Sequence, residues 1–75
     1  MTPLFMEICN KVNPQIITYQ GSNLVLDGII DSLDVMELIG ELEDGLSIEF
    51  EPEDISPENL ATAQSIWEMV CRLNG

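Results

Sequence analysis

Ser32 is the residue whose neighbours best fit it for chemistry. It stands in Asp27-Gly28-Ile29-Ile30-Asp31-Ser32-Leu33-Asp34, where a loop gives way to an acidic helix with an apolar stripe. A serine at a helix start is ordinarily a cap, its hydroxyl accepting a hydrogen bond from an orphan backbone N–H. Asp31 can do the same work, with Asp34 three residues on closing a reciprocal capping box. Under that arrangement Ser32 presents a free hydroxyl beside the positive end of a helix, where a phosphate is favoured. Taken alone, this stretch is satisfied more simply by a structural cap.

The other reactive residues narrow the chemistry. The chain has no histidine, so a hydrolase built on Ser32 lacks its usual general base. Cys9 and Cys71 lie far apart without CxxC spacing, which excludes structural zinc and points to two buried free thiols in a reducing cytoplasm. Asp27, Asp31 and Asp34 lack the twelve-residue calcium-loop spacing. Weak, nonspecific divalent binding is expected there, and no dedicated metal site.

Length and charge bound the rest. Seventy-five residues make one domain, residues 1–75, at a size that buries only about 60% of the unfolded surface. A small helical core fits in that; a roomy enclosed active site does not, so no enzymatic activity is expected. Fourteen acids face Lys11 and Arg72 for a net charge of −12. Phosphate backbones need clustered Lys and Arg, so nucleic acid is excluded as a partner, and anionic membrane surfaces with it. Basic patches on other proteins are favoured. Self-repulsion predicts stabilisation by salt or magnesium. No secretory signal and no bilayer-length apolar run is present, so the expectation is a cytoplasmic monomer with no membrane insertion.

The elements that must position Ser32 follow from spacing. Thr2 caps a first helix with Pro3 at its first position, and Leu4, Phe5, Ile8, Cys9 and Val12 share one face to about Val12. Asn13-Pro14 ends it. Gln15 to Asp31 reads as a long loop with Leu24, Leu26 and Ile29 or Ile30 tucked into the core. The Asp27-Gly28 pair also fits a hairpin, but its arms are too short to stand alone. The second helix is predicted from Ser32 to Asp44, stopped by Gly45, with Val35, Leu38, Ile39 and Leu42 buried. Ser32, Met36 and Gly40 follow at four-residue spacing on an exposed ridge, and Glu37, Glu41 and Asp44 form a like-charged row beside it. Such a row is by default a solvated face; its neighbour Ser32 favours partner docking instead. Leu46, Ile48 and Phe50 suggest an extended connector, and Pro52 to Ile55 a short helical turn. Ser56-Pro57 offers a further cap-like start. A last helix spans about Thr62 to Leu73 with Ala63, Ile66, Trp67, Val70 and Leu73 inward, and Gly75 closes the chain. The fold class is all-α: three to four helices, with a long loop between helices 1 and 2 and a short third helix.

Over nearly its whole length the chain resembles the acyl carrier protein family. Asp31-Ser32-Leu33 matches the family's attachment motif, and Asp34-Val35-Met36-Glu37-Leu38-Ile39 its second-helix start. Glu41, Glu43 and Asp44 fit the acidic later turns, and Gly45 to Glu51 with Thr62 to Ile66 resemble the third and fourth helices. The resemblance implies that Ser32 bears 4′-phosphopantetheine through a phosphodiester, taken from coenzyme A by a separate phosphopantetheinyl transferase. The arm's thiol then carries acyl or aminoacyl groups as thioesters for fatty-acid, polyketide or related biosynthesis. It further implies that Asp31, Leu33, Asp34, Met36, Glu37, Glu41 and Asp44 dock the transferase and acyl-transferring or condensing enzymes through basic patches. The chain departs from the fatty-acid type in its short first helix and in Leu24 to Ile30, which resembles stand-alone carriers of specialised pathways as much as fatty-acid ones, and at two further places. Pro52 to Leu60 resembles peptidyl, aminoacyl, D-alanyl and polyketide carriers, and Trp67 is unusual, best read as core. The competing function is an acidic interaction module with Ser32 unmodified.

Overall fold

Helix formation follows local capping chemistry in the computed structural model, which describes residues 1–74. Helix α1 (Pro3–Val12) starts where Thr2 Oγ1 accepts from Phe5 N at 3.3 Å. Helix α2 (Gln15–Thr18) is a single turn inside the stretch expected to be loop, begun by Asn13 Oδ1 accepting from Gln15 N at 2.9 Å. Helix α3 (Ser32–Leu46) carries the ridge, and α4 (Ala63–Asn74) starts where Thr62 Oγ1 accepts from Ser65 N at 3.1 Å. A 3₁₀ turn, Pro52–Asp54, stands for the short third helix. No strand is present among the described residues, so the hairpin reading falls and the all-helical one holds. Gly75 lies outside the described residues.

The core is one cluster to which all four α-helices and the connections around the 3₁₀ turn contribute. Phe5, Ile16, Leu24, Leu38, Leu42, Ile66 and Met69 are sealed from solvent, with Ile30, Ile48, Phe50 and Leu60 around them. Trp67 lies partly buried at its edge and meets Phe5 edge-on with ring centroids 5.1 Å apart, so it fills core as expected. The radius of gyration of 11.0 Å equals the roughly 11 Å of a fully packed chain this long.

Several expectations are corrected by packing. Helix α3 does not stop at Gly45. It runs to Leu46 and ends at Ser47, whose φ of 55° supplies the left-handed turn. Gly45 serves close approach instead, because a Cβ there would lie 2.8 Å from Ile8 Cδ1 on α1. Leu26 points outward at 74% exposure, while Leu24 and Ile30 go in. The helical-type bonds Asp27 N to Asn23 O and Gly28 N to Val25 O wind the loop so that Leu24 and Leu26 face opposite ways. Leu4 is nearly half exposed, Val12 and Val35 are partly buried, and Met69 joins the core in a place the apolar stripe did not assign. Cys9 is buried but Cys71 is exposed. Ser56 caps a turn through Asn59 N, at 3.3 Å, that does not extend into a helix.

The long connection is tied down by asparagines. Asn13 Nδ2 donates to Ile29 O at 3.1 Å, Asn23 Nδ2 to Pro57 O at 3.2 Å and Asn59 Nδ2 to Asp54 O at 2.8 Å. Leu24 N donates to Ala61 O at 2.7 Å, and the Tyr19 hydroxyl donates to Asp27 while accepting from Asn23 N. These bonds hold residues 23–30 against the segment after the 3₁₀ turn, and so fix where α3 begins.

Candidate attachment site at the start of helix α3

Asp31, not Ser32, caps α3. Asp31 Oδ1 accepts from Asp34 N at 2.9 Å, and Asp34 Oδ2 accepts from Asp31 N at 3.5 Å, so both halves of the box are present. Asp31 is the extended residue before the helix, and Ser32 is its first helical residue, exposed to solvent. The alternative left open by the sequence is thereby decided in favour of the uncommitted hydroxyl. The free N–H groups and the positive dipole end of a fifteen-residue helix lie beside that hydroxyl.

Ser32 opens onto a groove of about 530 Å³ between the end of the long connection, α3 and the segment after the 3₁₀ turn. Buried Ile30 and Leu60 line it, with Val25 and Val35 half-buried and Met36 and Ile55 exposed. The volume lies in the range of small-molecule sites, and the lining is chiefly apolar with the Ser32 hydroxyl and Asp31 at one end. Gly28 borders it with a φ of 74°, a conformation that L side chains rarely adopt. The Val25, Ile30, Ile55, Pro57 and Leu60 contributions were not assigned to a site from sequence. Val25 and Ile30 come from the connection that leads into α3, and Ile55, Pro57 and Leu60 from a segment beyond it that tertiary contact brings alongside.

The expected docking residues divide between two flanks of α3. Leu33 is 75% and Met36 72% exposed, both unusually open for apolar side chains, and they accompany Ser32. Asp31 and Glu37 are exposed as well, and Asp34 is half-buried. Glu41 turns to the other flank. Its Oε2 lies 2.9 Å from Lys11 Nζ on α1, and that hydrogen bond, with the charge behind it, raises the Lys11 ammonium above its ordinary pKa. Asp44 lines the same α1–α3 side as Glu41. Glu43, which the resemblance placed among the acidic later turns of the helix, accepts from Phe50 N at 2.9 Å and pins the connector to α3. No cluster able to hold a metal ion exists among the described residues.

A helical bundle that offers an exposed, non-capping serine at a helix start, above an apolar groove, presents a hydroxyl to which another group can be joined. The sequence model of the family described as phosphopantetheine attachment site matches residues 4–70. The chain belongs to that family, which comprises acyl carrier proteins and related carriers. No curated protein and no solved structure gives a significant match. The family holds 4′-phosphopantetheine covalently, which makes this protein a phosphopantetheine-carrying carrier. The exposed hydroxyl, the helix N-terminus and the adjoining apolar groove fit the chemistry of that group. No helix among the described residues is long and apolar enough to cross a membrane.

Proposed function

We propose that Ser32 is the attachment residue and that the protein shuttles acyl or aminoacyl intermediates between enzymes of fatty-acid, polyketide or related biosynthesis. The capping of α3 by Asp31 carries this reading, because it leaves the Ser32 hydroxyl free at the mouth of the groove. Ser32 Oγ supplies the ester oxygen of the phosphodiester, and the first-turn N–H groups of α3 favour the negative charge beside it. When bound, the arm supplies a thiol that carries cargo as a thioester. Val35, Ile30 and Leu60 offer that arm an apolar wall. Leu33 and Met36 give partners an apolar contact next to the serine, and Asp31, Asp34 and Glu37 surround it with negative charge for basic residues of a transferase or synthase. Glu41 and Asp44 extend that charge along α3, though from its α1 side. With no histidine in the chain, the protein itself catalyses nothing in this scheme. It works as a monomer in the cytoplasm, where coenzyme A and the partner enzymes meet.

Incubation with coenzyme A and a broad-specificity phosphopantetheinyl transferase, followed by intact-mass measurement, tests the assignment. The expected result is a gain of one phosphopantetheine, absent in Ser32→Ala. An unchanged mass in the parent protein, or a gain that survives Ser32→Ala, would overturn it. The first of those outcomes would instead favour an acidic interaction module.

A further inference from the structure

The α1–α3 side of the molecule carries a second groove, of about 420 Å³, that the attachment chemistry does not use. Its apolar wall comes from Leu4, 46% exposed on a surface helix, and from Ile8, which lies over Gly45. Its polar rim is Glu7, Glu41 and Asp44 against Lys11 alone. Lys11 is already matched by Glu41 at 2.9 Å, so Glu7 and Asp44 present carboxylates without an ion-pair partner among the described residues. Glu41 stands about 140° around α3 from Met36, at about 100° per residue, so the two grooves occupy opposite flanks of one helix.

We propose that this groove is a second docking surface, and that its occupant is a basic amphipathic helix of a partner protein. Two helices with an open furrow between them accept a third by packing side-chain ridges into it. Leu4 meets the apolar stripe of that helix, with Ile8, buried to all but 7% of its surface, forming the floor one turn on. Glu7 and Asp44 meet lysines or arginines flanking the stripe, as the negative rim requires. A partner held here leaves Ser32, Leu33 and Met36 uncovered. The carrier can therefore remain tethered to one protein while another works at the arm.

The test uses the full chain and a fluorescein-labelled peptide of leucine and lysine patterned as an amphipathic helix, at moderate salt. Amide shifts mapped by NMR are expected at Leu4, Glu7, Ile8, Glu41, Asp44 and Gly45. Leu4→Ser, at unchanged net charge, is expected to weaken binding about ten-fold, the loss for one large apolar side chain. Glu7→Gln is expected to weaken it several-fold more than Glu53→Gln, which removes the same charge from the 3₁₀ turn. Shifts centred on Ser32 and Met36, shifts scattered over the acidic surface, or equal effects of the two glutamate variants would overturn the proposal. Phosphopantetheine loading of Leu4→Ser at the parent rate keeps this outcome separate from the assignment of Ser32.

Discussion

Removing Asp31's side chain should destabilise the protein, and removing Ser32's should not. Asp31→Ala deletes the acceptor that lies 2.9 Å from Asp34 N and the reciprocal support from Asp34. Losing an N-cap costs about 1 kcal/mol, and losing a carboxylate at the positive helix end costs about 0.3–1 kcal/mol more. Relief of repulsion among fourteen acids offsets part of this. The net loss is therefore about 1–1.5 kcal/mol. For a domain of this size that lowers the melting temperature by roughly 5–10 °C. Asp31→Asn keeps an equivalent acceptor and should stay within about 0.5 kcal/mol of the parent, which separates the cap from the charge. Ser32→Ala should also stay within about 0.5 kcal/mol, as an exposed surface change. Urea titrations followed by far-UV circular dichroism and by Trp67 fluorescence measure all three, with an unchanged m-value expected. If Ser32→Ala loses as much stability as Asp31→Ala, Ser32 is the cap, and the argument for its availability fails.

Leu24→Ala should remove about 2–5 kcal/mol from a total of roughly 4–11 kcal/mol, since Leu24 is sealed in the core and its amide is bonded to Ala61 O. A loss under about 1 kcal/mol in the same titration would show that the long connection is not anchored there. Iodoacetamide at pH 8 should label native Cys71 readily and Cys9 only after unfolding, as peptide mass mapping would show. Burial pushes the Cys9 thiol up to about 12 from an ordinary value of 9.0. The neutral thiol thus contributes stability in full below pH 9, and that contribution falls as pH rises from 9 towards 12. Cys9→Ala should flatten this alkaline decline, and an unchanged slope would count against it. Millimolar magnesium should raise the melting temperature by screening the net charge of −12; no shift would refute the self-repulsion argument.

How legible the protein was depends on how far apart the interacting residues are. The start of α1 at Thr2-Pro3 and the 3₁₀ turn at Pro52 were readable, and the start of α4 to within one residue of Thr62, because such signals join residues three or four apart. The buried stripe Leu38, Ile39 and Leu42 was readable from helical period. Trp67 as core held for the same reason. Leu26 was misplaced because a loop has no fixed period, and the turn around Asn23 decides which side chain goes in. Gly45 was misread as a stop because its role is set by Ile8 on another helix. Cys71 was misplaced because burial on the rim of a helix depends on what covers it.

The same division runs through the site. Sequence alone determined that an Asp-Ser-Leu stretch enters an acidic helix, that either Asp31 or Ser32 caps it, and that the chain resembles the carrier family. Those are properties of neighbouring residues and composition. Only the tertiary structure decided that Asp31 is the cap, that Ser32 opens onto a groove, and that Glu41 faces Lys11 rather than the serine. The cap is a local bond between Asp31 and Asp34 that spacing left undecided against Ser32, whereas the groove and the Lys11–Glu41 pair depend on contacts between segments far apart in the chain. Their geometry is set when the core closes around Leu24, Leu38 and Ile66, and local spacing does not contain it.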